Sequence, residues 1–176
     1  MSVWEDIVDA IAAEFSDLAD AGTAARICFR MLLAALLGGA LGYERESKGK
    51  SAGVRTHMLV ALGAALFVMA PSLRGFHPEA ISRVLQGIVA GIGFLGAGAI
   101  VKGKPGESIE GLTTAASIWM TAAIGVTVGM GRASTAIISG ILALVILAVM
   151  DHAFLWLHPP GGASPPEPLD DKGGRA

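Results

Sequence analysis

Val84-Leu-Gln-Gly87-Ile-Val-Ala-Gly91-Ile-Gly93-Phe94-Leu95-Gly96-Ala97-Gly98-Ala-Ile-Val101 is a run of 18 residues without a charge. A helix that crosses the ~30 Å hydrocarbon core needs about 20 residues, with about 17 as the lower limit. The run meets that limit unaided, and so does Leu112–Gly131. Three further apolar blocks reach it only by including polar residues: Ile27–Tyr43 with Arg30, Met58–Leu73 with His57 or loop residues, and Thr135–Leu157 with Asp151 and His152. One such block would fit a buried helix of a soluble protein. Five in succession, joined by short polar links, predict an all-α polytopic membrane protein with five transmembrane helices.

Composition agrees. Of 176 residues, 53% are apolar and only 16% charged, against roughly 25% charged in an ordinary soluble domain. The apolar mass is small and aliphatic, with 24 glycines and few aromatics. Gly38/Gly42, Gly87/Gly91 and Gly125/Gly129 form GxxxG pairs, and Ala61/Ala65 is a small-xxx-small pair. Such pairs let helix backbones approach closely in lipid, which predicts Gly-rich close packing and places Gly93, Gly96 and Gly98 at a helix contact. Thr114, Ser117, Thr121, Gly125 and Gly129 share one helix stripe. That stripe reads as a packing seam with hydroxyls bonded to their own backbone, and secondarily as a polar pathway.

Three regions follow. Residues 1–26 form an acidic segment with Glu5, Asp6, Asp9, Glu14, Asp17 and Asp20. Val3, Ile7, Ile11, Phe15 and Leu18 recur there at helical spacing, which predicts a solvated amphipathic helix packed on the rest of the protein, ahead of one that docks a partner. Its acidic polar face is unlike the basic face usual in a membrane-surface helix. It is no signal peptide, since its start carries no positive charge. Residues 27–157 are the five-helix transmembrane domain, and residues 158–176 a Pro/Gly-rich tail predicted to be disordered. Eight Lys and Arg fall on the side of the tail and five on the side of the N-terminus. The N-terminus is therefore expected outside and the C-terminus in the cytoplasm.

Several function classes drop out. A net charge of −2 gives no basic excess for nucleic acid. Gly91-Ile-Gly93-Phe94-Leu95-Gly96 matches GxGxxG, but no strand precedes it and no cofactor is expected. Cys28 stands alone, which excludes an intrachain disulfide or a multi-cysteine metal site. There is no HExxH, no GxSxG and no facing aspartate pair, so no catalytic or metal residues are assigned. Arg30 and Arg83 are expected to snorkel to the outer interface, and Asp151 to lie near the cytoplasmic membrane end.

The link after the first block holds Glu44, Arg45, Glu46, Arg55, Thr56 and His57. A solvated basic loop explains Lys48 and Lys50. It explains Glu44 poorly, because a charge at the hydrocarbon boundary is costly unless paired. These six residues form a candidate polar cluster, with Glu44 expected to pair with Arg55.

The motifs also resemble the MgtC/SapB family of bacterial inner-membrane proteins. The resemblance rests on Gly42-Tyr-Glu44-Arg45-Glu46, Ala52-Gly53-Val-Arg55-Thr56-His57, Arg83 and Gln86 with Gly91 to Gly98, and Gly111-Leu-Thr113-Thr114 with Trp119. It implies five spanning helices, adaptation to low magnesium and, in pathogens, survival inside host cells. It further implies a non-enzymatic regulator acting on other membrane proteins, with the lipid bilayer as its surroundings. Arg83, Gln86, Gly91, Gly93, Gly96, Gly98, Thr113, Thr114 and Trp119 are the motif residues it marks. A Mg2+ or other cation transporter is the competing reading; direct Mg2+ binding and a homo-oligomer stay open. Ser82 stands where relatives often carry an acid, and the soluble C-terminal domain of many relatives is expected to be missing here.

Overall fold

The computed structural model describes residues 2–14, 20–73, 78–102 and 109–157, with backbone alone at 14, 71–73, 78, 101–102 and 150–157. Its helices are α1 (Val3–Glu14), α2 (Ala21–Ser47), α3 (Val54–Leu73), α4 (Pro78–Ala99), α5 (Leu112–Gly129) and α6 (Ala133–Leu157). A two-residue antiparallel ladder joins α4 to α5, with β1 (Val101–Lys102) paired to β2 (Ile109–Glu110). The described ends of the link after the third apolar block are therefore paired strands.

Helix α2 starts ahead of its apolar block because Asp20 caps it. The Asp20 carboxylate accepts from the Gly22 and Thr23 amides, which otherwise have no partner in a first turn. Its other end stops at Lys48 and Gly49, where Gly49 takes φ +66°. The α2, α4 and α5 helices are long and apolar enough to cross a membrane. The apolar parts Val54–Ala70 of α3 and Ala133–Val149 of α6 are shorter, although the helices themselves run 20 and 25 residues.

The core lies where α2, α3 and α5 meet, and α6 covers α2 and α5. Its buried members are Ala34, Leu41, Ala61, Ala65, Met69, Ile124, Val128, Ala136 and Ala143. Alanine dominates because the backbones are nearly touching. A Cβ on Gly38 would stand 2.9 Å from Ala61 Cβ, and one on Gly42 would stand 2.6 Å from Val54 Cα. A Cβ on Gly125 would overlap the Ala61 carbonyl oxygen, and one on Gly129 would stand 2.6 Å from that of Ala65. The Ala61/Ala65 pair is thus clasped by Gly38 from α2 and by Gly125 and Gly129 from α5. Close approach of this kind is what small residues contribute to helix association in lipid.

The third GxxxG pair behaves differently. Gly87 and Gly91 have nothing within 4 Å of a built Cβ, and neither do Gly93 and Gly98. Only Gly96 is buried, with Ala115 of α5 at 3.5 Å. The expected contact through Gly93 and Gly98 is not formed, because α4 meets α5 along the Gly96 face. Between α3 and α4 lies a cavity of about 690 Å³ lined by apolar side chains and glycine, among them Leu59, Phe67, Val84, Ile88 and Leu95. Large apolar side chains face outward on every long helix, including Phe29, Leu36, Phe67, Phe94, Trp119 and Ile138. In water such a surface would drive aggregation; against lipid it is the expected exterior.

The first helix departs from expectation. Every described side chain of α1 is exposed, so its apolar face does not pack on the bundle.

Candidate polar cluster at one end of the bundle

The end of α2, the start of α3 and the start of α5 converge at the same end of the bundle. Arg45 is 1% exposed and His57 fully buried. Arg45 Nε lies 3.0 Å from Glu44 Oε2, and Lys48 Nζ closes on Glu44 Oε1 from one helical turn away. Both Glu44 oxygens and Arg45 Nε are shielded from solvent with no hydrogen-bond partner beyond these ion pairs among the described residues. Lys48 also donates to the Leu147 carbonyl at 3.2 Å, which ties α2 to α6. One carboxylate therefore sits between two cations in a low-dielectric setting, where loss of either sign leaves a costly unpaired charge.

Glu46 points the other way along the turn. Its Oε2 accepts from the Val54 amide at 2.8 Å and so caps α3. The carboxylate presses so closely on Gly53 that a Cβ there would overlap it. The Gly53 carbonyl in turn accepts from the His57 amide at 3.2 Å and faces His57 Nδ1 at 2.9 Å. A carbonyl only accepts, so Nδ1 carries a proton. Across the interface His57 Nε2 meets Ser117 Oγ at 3.1 Å, joining α3 to α5. Ser117 Oγ also lies 2.8 Å from the Thr114 carbonyl, and Thr121 Oγ1 donates to the Ser117 carbonyl at 2.8 Å. The single Ser117 proton has two acceptors, Thr114 O and a neutral Nε2. It satisfies one at a time, unless the imidazole itself donates through Nε2.

Of the six predicted cluster residues, Glu44 pairs with Arg45, and Glu46 and His57 meet on either side of Gly53. Arg55 and Thr56 are exposed on α3, and Glu44 does not pair with Arg55. Residues two apart on a helix diverge by about 160°, so seating His57 on α5 turns Arg55 outward. Thr114 is buried beside Ser117, whereas Thr113 and Trp119 face outward on α5. Arg83 and Gln86 are exposed on α4, with Gly91, Gly93 and Gly98. The Asp151 side chain and residues 158–176 lie outside the described residues. Among the described residues no group of three or more His, Cys, Asp or Glu is placed to hold a metal ion.

Two participants escaped the sequence reading. Ser117 was visible only as part of a small-residue stripe, sixty positions from His57, and Lys48 read as loop charge. At the far end Arg30 does more than reach an interface. Its Nη1 donates to the Gly129 carbonyl at 3.1 Å, where the last carbonyls of α5 favour a cation.

The chain is 43% identical over 133 residues to Protein SrpB of Synechococcus elongatus, covering 69% of this chain and 73% of that one. It is 40% identical over 135 residues to "Putative magnesium transporter YhiD" of Escherichia coli, covering 71% and 60%. It is 44% identical over 115 residues to Protein MgtC of Brucella abortus, covering 65% and 47%. The chain thus spans about half to three fifths of the YhiD and MgtC relatives. No solved structure matches it. The MgtC family model covers residues 31–154, which take in the Gly–Ala clasp, the Glu44–Arg45 pair and the His57–Ser117 bridge, and the chain belongs to the MgtC family.

Proposed function

We propose that this multi-pass membrane protein is a non-enzymatic regulator of other membrane proteins in the bacterial inner membrane. It serves adaptation to low magnesium and, in a pathogen, survival inside host cells. Five helices, α2 to α6, span the bilayer with the N-terminus outside and the C-terminus in the cytoplasm. In support, α3 and α6 run 20 and 25 residues, about 30 and 38 Å at 1.5 Å per residue. The asymmetry of Lys and Arg supports the orientation.

One observation carries the regulator reading. The buried carboxylate, Glu44, is already held by Arg45 and Lys48. A cation pathway wants an acid or unwound backbone at depth with room for the ion. Here α2, α3 and α5 meet through glycine and alanine, and the cavity between α3 and α4 is lined by apolar side chains and glycine. A closed cluster of paired charges suits a module that holds a fixed shape for a partner. Magnesium transport is the second reading, favoured by the name of the Escherichia coli relative.

Growth in limiting Mg2+ separates them when paired with uptake in whole cells. A strain lacking the gene should regain growth with the wild-type chain while its initial rate of Mg2+ uptake stays unchanged. Rescue that scales with uptake would favour transport.

A further inference from the structure

We propose that α1 lies flat in the headgroup layer of the membrane that α2 enters, with its apolar face in lipid and its acidic face in water. This rests on reading α2 as a membrane span. At 3.6 residues per turn Val3, Ile7, Ile11, Trp4 and Val8 fall within one arc of about 140°. Glu5, Asp9 and Asp6 fall within an opposite arc of about 100°, and Glu14, in the last turn, falls inside the apolar arc between Val3 and Ile7. The apolar arc is bare: Val3 is 77%, Trp4 72% and Ile11 56% exposed.

The bilayer is the occupant that fits. The bundle does not cover the arc, because every described α1 side chain is exposed. A second copy would gain too little, since five such side chains offer a few hundred Å² against about 800 Å² per partner in a stable protein interface. Lipid needs no such area, because α1 is tethered beside it. Six residues separate Glu14 from Ala21, so α1 ends within about 25 Å of the first turn of α2. Tethering raises the local concentration of the surface without any new contact. Trp4 is the residue type that settles at the membrane–water boundary. The acids set the kind of surface: a polar face normally gains from anionic lipid through Lys and Arg, whereas three carboxylates select a zwitterionic one.

Tryptophan quenching in the full chain tests this. Trp119→Phe with Trp156→Phe leaves Trp4 alone, in vesicles of phosphatidylcholine carrying a spin label near the headgroup or deep in the acyl chain. The shallow label should quench Trp4 strongly, the deep label weakly, and aqueous iodide poorly. Adding Ile7→Asp and Ile11→Asp should lose the lipid quenching and restore the iodide quenching. Replacing a third of the lipid with phosphatidylglycerol should reduce the lipid quenching, and salt should return it. Iodide quenching with no response to either label would overturn the proposal, as would emission that tracks the protein-to-lipid ratio, which marks a second copy. The companion chain with Trp4→Phe and Trp156→Phe reports on the bundle through Trp119 in α5. Deep-label quenching of Trp119 without lipid quenching of Trp4 refutes the α1 proposal alone. Loss of both refutes the membrane reading beneath it.

Discussion

Gly125→Ala should destabilise the protein, whereas Gly91→Ala in an identical GxxxG setting should not. At Gly125 the new methyl overlaps the Ala61 carbonyl oxygen and stands 2.9 Å from two Ala61 carbons. Ordinary contacts begin near 3.4 Å, so α5 must retreat from α3 by about half an ångström or more. That shift loosens Gly129 against Ala65 and stretches the 3.1 Å His57–Ser117 contact towards the limit of a hydrogen bond. Overpacking of this kind costs about 1–3 kcal/mol, partly offset by the ~1 kcal/mol helix preference of alanine over glycine. The net loss is up to about 2 kcal/mol, a factor of up to about 30 in the folded-to-unfolded ratio. At Gly91 nothing lies within 4 Å, so only the helix preference acts and stability should hold or rise. Thermal unfolding of both purified variants in one detergent, followed by size-exclusion of the folded species, reads the difference. Equal stability of the two, or a loss at Gly91 alone, would refute the assignment of close packing to α2, α3 and α5.

Glu44→Gln should destabilise by up to about 3–5 kcal/mol, the cost of stranding a buried partner, and Glu44→Gln with Arg45→Met by less than the sum; Arg55→Lys, at an exposed position, should leave unfolding unchanged. Ser117→Ala should cost about 1–3 kcal/mol by leaving His57 Nε2 without a partner, and a double-mutant cycle with His57→Ala should give a coupling of about 0.5–3 kcal/mol. The Thr23 hydroxyl, then the Thr23 and Gly22 amides, hold the Asp20 carboxyl below its ordinary value. A lowered carboxyl stabilises the fold above its ordinary range and loses that as pH falls through the lowered value. Protection of the first-turn amides of α2, taken relative to their intrinsic exchange rate at each pH, should therefore fall in acid, and Asp20→Ala should remove the dependence.

The long helices were legible in the sequence because lipid imposes a length and excludes charge, as in Val84–Val101 and Leu112–Gly131. Which glycines pack was not legible. Gly87/Gly91 and Gly125/Gly129 carry the same spacing, and only the register between α3 and α5 decides that the second pair meets Ala61 and Ala65. Hydroxyls on the Thr114, Ser117, Thr121 stripe were read as bonded to their own helix, and Ser117 and Thr121 are. The bridge from Ser117 to His57 adds a tertiary contact that spacing cannot encode.

The boundary cluster divided along a simple line. Glu44, Glu46 and His57 announced themselves as polar groups where lipid begins. Their partners did not: Glu44 took its immediate neighbours Arg45 and Lys48 over Arg55. Long side chains on one helical turn meet without closing a loop, while Arg55 is committed outward by the burial of His57. For α1, the 3.6-residue period placed a helix over Val3 to Ile11, but the expected packing of its apolar face on the bundle is not formed, and Phe15 and Leu18 lie outside the described residues.

A charge cluster closed to ions passes no Mg2+, and Mg2+ flux into liposomes containing only this chain tests that closure. With an entrapped Mg2+ indicator and an imposed gradient, flux should equal that of empty liposomes and should stay there for Glu44→Gln. Flux above empty liposomes that Glu44→Gln abolishes would contradict the closed cluster and make Glu44 part of a transport path.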